Sequence, residues 1–383
     1  MKKIIDRLYV WGFLSILGIM SLLFFVMPKE TFSEMENRNL QKVPELTWER
    51  IFSKEFSDDA EAFVTDHFPF RTEWVASKSM MEQLRLQKEN NGIYKGSDGY
   101  LFEKFQEPNY EELQKYVDAV NKFTVNHPDT NTTFLLAPNS VGVHAERLPW
   151  LAYAYPQNKV NDFIGGQVSD NLSFINGFNF LDPASSNDEK PLFYRTDHHW
   201  TTYGAYLGYR AYAEEMGWKP LSEEDFNIRT VTNSFLGSYH TRGQFGGLKP
   251  DSIQIYEPHT QVETEMFIAD SGETVTSLYD DSFLRKKDKY SYFQGGVHAL
   301  VKLTNKIDPQ KIDLNKLLII KDSYAHSMLP FLTNHVEEIH MLDIRFYNGN
   351  ISIYMEENGI DSVLMLFNTS TFVEERGLLK LKY

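Results

Sequence analysis

The sequence predicts an α/β fold: a three-layer arrangement in which a mostly parallel sheet is covered by helices on both faces. Three observations predict it. Short apolar runs, such as residues 132–137 and 317–320, alternate with stretches of helical period, the pattern of strands buried on both faces. One of these runs, Leu317-Leu318-Ile319-Ile320, stops abruptly at Lys321-Asp322-Ser323, and helix-like sequence begins at once. An uncharged run near the N-terminus stands apart from the rest and reads as a membrane segment.

Composition bounds the partners. With 383 residues, 42% hydrophobic and 14% aromatic, there is material for a large packed core. The net charge of -15 argues against nucleic acid, which needs a basic face. It suits a neutral polysaccharide better than an acidic one. The absence of cysteine excludes disulfides, thiol catalysis, iron–sulfur clusters and Cys-ligated zinc.

At the N-terminus Lys2, Lys3 and Arg7 face only Asp6, and residues 8–27 follow as twenty residues without a charge. As a helix this run spans roughly 30 Å, the thickness of a bilayer core. The basic flank predicts a cytoplasmic N-terminus and an external domain at the cell membrane. A cleaved signal peptide is the other reading. No small-residue cleavage site follows, and the run is long for a signal, so an uncleaved single-pass anchor is expected. The expected organisation is a tail and anchor over 1–27, an extracytoplasmic stem and helical region over 28–90, and the main domain over 91–383 with an insertion at about 226–304.

The elements follow in order. Residues 46–88 carry a helical period through Trp74, Met80, Met81, Leu84 and Leu86, interrupted around Pro69. Asn90-Asn91-Gly92 and the Gly96–Gly99 stretch read as turns before the apolar Tyr100-Leu101-Phe102. Helices are expected over 111–126, 159–172, 202–216 (closed by Gly217), 325–332 and 351–357. Strands are expected over 132–137, 178–181, 317–320, 338–342 and 362–366. Between 226 and 304, residues 253–256, 266–268 and 301–303 read as shorter strands of an insertion or lid over the sheet.

Two constellations carry chemistry. A strand that ends at Ser323 before a helix has the geometry of a nucleophile elbow, lifting a hydroxyl above the carboxyl ends of the strands. The helix N-terminus behind it offers free N–H groups to an oxyanion. Read plainly, the same junction is only a helix cap. The second is Asp197-His198-His199-Trp200. A serine needs a base, and a histidine needs a carboxylate to fix its tautomer. Residues two apart in an extended loop point the same way, so Asp197 can orient His199. The bland reading is a solvated helix start capped by Thr201 or Thr202. A metal site is a third reading, but helical His spacing and a further ligand are missing, and no metal is expected. Asn139 ends a strand and is a donor candidate for an oxyanion or substrate, or part of a simple turn. Gly296 offers backbone N–H groups, or a bulge. Arg345 points toward the same strand ends, or pairs with Asp343.

Residues 196–205, Thr-Asp-His-His-Trp-Thr-Thr-Tyr-Gly-Ala, resemble the signature of the DHHW proteins of Gram-positive bacteria. These are similar to the alginate O-acetyltransferases AlgJ and AlgX, which have an SGNH-hydrolase-like domain. Glu36-Asn37-Arg38 with residues 66–71, the stretch 94–102, Lys321-Asp322-Ser323-Tyr324-Ala325 and Asp343-Ile344-Arg345-Phe346-Tyr347 resemble further blocks of the family. The resemblance implies an SGNH-hydrolase-like (flavodoxin-like) sheet with a circularly permuted motif order, the Asp-x-His preceding the Ser. Carried over, Asp197 is the orienter, His199 the base and Ser323 the nucleophile. Lys321 stands where ordinary SGNH enzymes have glycine, and no Gly-x-Asn-Asp block is present. Asn139, Gly296 and Tyr324 are therefore the candidates for the oxyanion site beyond the Ser323 N–H. The implied activity is O-acetyl transfer to a cell-envelope or exopolysaccharide through an acetyl-serine, without a cofactor. Acetyl-ester hydrolysis with the same triad and a non-catalytic glycan-binding scaffold are the alternatives. Because acetyl-CoA is cytoplasmic, transfer outside implies a membrane-bound O-acyltransferase as the acetyl-supplying partner.

Overall fold

The computed structural model describes residues 2–33, 38–85, 87–187, 189–260 and 262–383. Glu36, Asn37 and Leu86, cited above, lie outside them. The chain divides into two compact units, residues 1–87 with 244–247, and residues 88–243 with 248–383.

In the first unit, helix Lys2–Val26 contains the segment Ile4–Val26, which is long and apolar enough to cross a membrane or to serve as a signal sequence. Helices Trp48–Phe52, Glu55–Asp66 and Arg71–Leu84 follow. Thr47 caps the first by accepting from the Arg50 N–H. The chain breaks between the second and third at Phe68-Pro69-Phe70, where Pro69 disfavours helix in the residue before it and Phe70 adopts a φ of 58°.

The second unit is built on an eight-stranded sheet. In chain order its strands are β1 (Asn131–Ala137), β2 (Ser173–Asn176), β3 (Glu263–Ile268), β4 (Glu273–Val275), β5 (Leu300–Lys306), β6 (Leu314–Lys321), β7 (Val336–Asp343) and β8 (Ser362–Asn368). Across the sheet the order is β4-β3-β5-β7-β6-β8-β1-β2. The strands from β7 to β2 run parallel, and β5, β3 and β4 add antiparallel pairs at one side.

Alternation along the strands sorts the core into two layers. Leu135, Leu317, Ile319, Leu364 and Leu366 pack on one face with helices Thr202–Glu215 and Ala325–Leu332. Phe134, Leu136, Leu318, Ile320, Val363 and Met365 pack on the other with helices Tyr110–Asn126 and Ile351–Asn358. The mostly parallel α/β sheet predicted from the alternation is thus the observed fold. Local chemistry fixes the helix that follows the histidine loop: Thr201 caps it by accepting from the Gly204 N–H, and Gly217, at φ 71°, follows its last turn.

Two expectations are corrected. Residues 178–181, expected as a strand, form the helical turn Phe178–Leu181, and the strand is the preceding Ser173–Asn176. A four-residue apolar run is ambiguous between the two states, and Phe178 and Leu181 have the i, i+3 spacing of a helical face. The second concerns the insertion. Its segments around 266–268 and 301–303 do not form a lid over the sheet. They extend it, because Met266, Ile268, Val301 and Leu303 alternate onto the core face. Outside the sheet stands the bulged hairpin Phe226–Phe235 with Asp251–Pro258.

Candidate active site

Ser323 lies just beyond β6, and Asp322 shapes the turn that presents it. Asp322 Oδ1 accepts from the Tyr324 N–H at 2.8 Å, while Oδ2 accepts from the Asn368 backbone N–H and side-chain amide, each at 2.7 Å. One buried carboxylate thereby ties the turn after β6 to the end of the neighbouring β8. The Ser323 N–H has no hydrogen-bond partner among the described residues, and it lies just before helix Ala325–Leu332.

The loop carrying Asp197 and His199 is held from below. Asp251 accepts from the Arg195 N–H and side chain, and from the Thr196 N–H and hydroxyl, at 2.6–3.1 Å. Trp200, fully buried, donates its indole N–H to the Tyr324 carbonyl and the Ser327 hydroxyl, both at 3.0 Å. The loop and the serine turn, 124 residues apart, therefore meet. His199 Nε2 lies 2.7 Å from Ser323 Oγ, and His199 Nδ1 lies 2.5 Å from Asp197 Oδ1. Asp197 Oδ2 accepts from the Ser238 N–H at 2.7 Å. Gly237 is required beside it: a Cβ there would sit 2.3 Å from the Asp197 carboxylate.

Burial opposes ionisation of Asp197. The His198 and His199 imidazoles and the Ser238 N–H outweigh it and hold the carboxyl well below the usual carboxylate range. It is an anion throughout the physiological range and can accept the imidazole N–H. A neutral His199 with its proton on Nδ1 then presents Nε2 as acceptor to the serine hydroxyl. That arrangement can generate an alkoxide-like nucleophile and later protonate a leaving group.

The other candidates fall elsewhere. Both amide donors of Asn139 are engaged, one to the Tyr324 hydroxyl and one to Asn368 Oδ1, each at 3.1 Å. Tyr324 gives its N–H to Asp322 and its hydroxyl to the His198 carbonyl at 2.7 Å. These two residues brace the site instead of offering it donors. Gly296, at φ 106°, turns its N–H onto the Phe293 carbonyl, and a Cβ there would lie 3.5 Å from Ser291 Oγ and 3.9 Å from Phe283 Cζ. Arg345 makes a two-pronged pair with Asp343 at 2.6 and 2.8 Å. Asp343 in turn holds buried Lys321 at 2.9 Å. Lys321, which replaces the usual glycine, thus reaches away into a charge cluster. His198 bonds Ser238 Oγ through Nδ1 at 2.6 Å and is drawn down to about 4 by its enclosure and by His199.

Asp197, His198 and His199 offer ligand atoms within 4.8 Å of one another. The two nitrogens of His199 contact Asp197 and Ser323, and His198 Nδ1 contacts Ser238.

Among the residues that sequence reasoning missed is Tyr290. Its ring stacks on His199 with centroids 3.5 Å apart and planes at 10°. Its hydroxyl donates to the Ser323 carbonyl at 3.1 Å and lies 3.0 Å from Ser327 Oγ. Tyr290 sits in a short turn among many aromatics, where no local signal distinguishes it.

In this α/β sheet Ser323, His199 and Asp197 stand in one series of hydrogen-bond contacts beside the carboxyl end of a parallel strand. Over residues 171–342 the chain matches the DHHW protein family, and the resemblance read in its residues is thereby shown. Among solved structures it is similar to a DHHW family protein from Eubacterium siraeum, at 22% identity over 76% of this chain and 95% of that one, with a TM-score of 0.65. It is similar to Bacillus cereus PatB1 at 19% identity over 76% of this chain and 99% of that one, TM-score 0.66; PatB1 is also known with a sulfonyl adduct. The O-acetyltransferase domain of Pseudomonas putida AlgJ superposes more loosely, at 14% identity over 76% of this chain and 98% of that one, TM-score 0.47. No curated protein matches the chain in sequence.

Proposed function

We propose that the chain is an extracytoplasmic O-acetyltransferase that modifies a cell-envelope or exopolysaccharide through an acetyl-Ser323 intermediate. The observation that carries this reading is His199, which contacts Ser323 Oγ with one ring nitrogen and Asp197 with the other, at 2.7 and 2.5 Å. His199 Nε2 takes the hydroxyl proton as Ser323 Oγ attacks the acetyl carbonyl. The oxyanion gains the uncommitted Ser323 N–H as a donor, and collapse expels the donor's leaving group, which takes the proton from His199. A sugar hydroxyl then gives its proton to His199 and attacks the acetyl-serine. The O-acetyl sugar departs, and Ser323 Oγ recovers the proton. Tyr290 acts as a positioning residue that keeps the imidazole plane on this path.

The choice of acetyl transfer over other acyl chemistry comes from the DHHW resemblance. The anchor orientation comes from the basic flank of the N-terminal helix, with the catalytic unit outside the cell membrane. A membrane-bound O-acyltransferase then supplies acetyl groups from the cytoplasmic side. The test is labelling with a sulfonyl fluoride or fluorophosphonate. Wild type is expected to be labelled at Ser323 and the Ser323→Ala variant not at all; equal labelling of both refutes a serine nucleophile. Acetyl transfer to an oligosaccharide in excess of hydrolysis distinguishes the transferase from an esterase.

A further inference from the structure

A second concavity lies in the same unit, walled by both limbs of the histidine loop. It has a volume of about 770 Å³, within the range of small-ligand sites. We infer that this cleft binds an uncharged oligosaccharide segment and holds the acceptor polymer beside the triad; it rests on the acyl-transfer reading for the polymer's role, but not for its binding.

The chemistry of the lining selects the ligand. Its three cations are each matched by a carboxylate of the same wall: Arg147 with Asp98 at 3.3 Å, Lys190 with Glu223 at 2.7 Å and Arg195 with Asp251 at 3.1 Å. With Glu189 the wall carries four carboxylates against three cations. A phosphate or uronate entering here meets only committed cations and an excess of like charge. A neutral polyol suits the same groups, because paired carboxylates and guanidinium groups keep spare lone pairs and N–H donors for hydroxyls. The wall also presents apolar surface for the C–H faces of pyranose rings. Tyr203 is partly exposed, and Ile228, on the hairpin, is 41% exposed. Such a mixture of aromatic and paired-charge surface without a net cationic centre fits sugars better than anions or lipids. It also agrees with the acidity of the whole chain, at -15.

Position ties the cleft to the reaction. Phe193, Tyr194 and Arg195 on one limb and Thr201, Thr202 and Tyr203 on the other line it. Between them the loop carries Asp197 and His199, and the limbs are joined by the Tyr194 N–H to His199 carbonyl bond at 3.2 Å. An occupied cleft therefore packs directly against the scaffold of the base.

The test is calorimetric titration of the full chain in detergent with cellotetraose, chitotetraose, maltotetraose and tetragalacturonate. Binding of at least one neutral tetrasaccharide is expected, with tetragalacturonate weaker by about tenfold or more. Ile228→Arg, which fills the cleft from an exposed strand position, and Tyr203→Ala are each expected to weaken that binding at least about tenfold, the loss of one good contact. Both are expected to leave turnover of a small acetyl ester unchanged. If Tyr203→Ala melts early, Ile228→Arg alone decides. Failure of every neutral tetrasaccharide to bind, equal binding of the anionic one, or wild-type affinity in Ile228→Arg overturns the inference. Ester turnover in Ser323→Ala is measured separately: if it persists while sugar binding holds, the acyl-transfer reading falls and the cleft stands.

Discussion

The Tyr290 ring lies parallel to the His199 imidazole at 3.5 Å, and the Tyr290 hydroxyl bonds the backbone carbonyl of Ser323. One side chain therefore contacts both His199 and Ser323. The stack limits rotation of the imidazole and shields one of its faces from water. Aromatic pairs of this kind contribute about 0.5–1.5 kcal/mol, so Tyr290→Leu is expected to lower kcat on a small acetyl ester by about two- to tenfold. Tyr290→Phe keeps the stack and should lose less. Steady-state kinetics of both variants check this; equal losses in Leu and Phe would show that the hydroxyl, not the stack, matters.

Within the relay the two adjacent histidines are expected to behave differently. Ser323→Ala and His199→Ala should each lower kcat by roughly 10³-fold or more. His198→Ala should cost less than about tenfold, because its main structural link to Tyr324 is a backbone carbonyl that alanine retains. Equal losses at His198 and His199, with metal in the purified protein, would instead point to a metal site.

Gly237→Ala tests the packing behind the carboxylate. A Cβ would lie 2.3 Å from Asp197, so the carboxylate or the Gly237–Ser238 backbone must move. A displacement near 1 Å costs about 10²-fold in rate, and the variant should lose kcat to that extent while sulfonyl labelling of Ser323 slows in parallel. Unchanged kinetics would show that the site adapts freely.

Stability should fall on mild acidification. Burial draws His198 and His240 down to about 4 from 6.5. Burial and then Lys321 hold His326 well below 6.5, and burial lowers His340. These groups bind protons more readily unfolded than folded. Their contribution is fully present above about 6.5 and is lost as pH falls toward about 4. Melting curves should drop by roughly 5 °C between about pH 7 and about pH 5. His326, whose Nε2 accepts from Lys321 Nζ at 2.7 Å, needs a neutral ring, so His326→Gln should flatten this dependence. A flat profile in wild type would contradict it.

The parallel half of the sheet was legible because its strands are buried on both faces and read as continuous apolar runs, as at 317–320 and 362–366. The antiparallel strands at 263–268 and 300–306 were not. Alternate side chains face outward, and Glu263, Glu265, Lys302, Thr304 and Lys306 among them are polar, so the strands read as peripheral although they extend the same sheet. In the site, Asp197, His199 and Ser323 were legible through residue type and their position at element ends. Tyr290, Asp251, Ser238 and Asn368 were not, since each acts through long-range contacts that leave no local pattern. Asn139 and Tyr324 were placed at the site as donors. Their hydrogen-bonding groups are spent on one another and on Asn368, Asp322 and the His198 carbonyl, a matter that only three-dimensional neighbours decide.

The most direct measurement is intact-mass and peptide-mapping spectrometry of the protein quenched during incubation with an activated acetyl ester. A gain of one acetyl group on the peptide containing Ser323, absent in Ser323→Ala, is the predicted result. Full turnover by Ser323→Ala, or acetylation mapped to another residue, would contradict it.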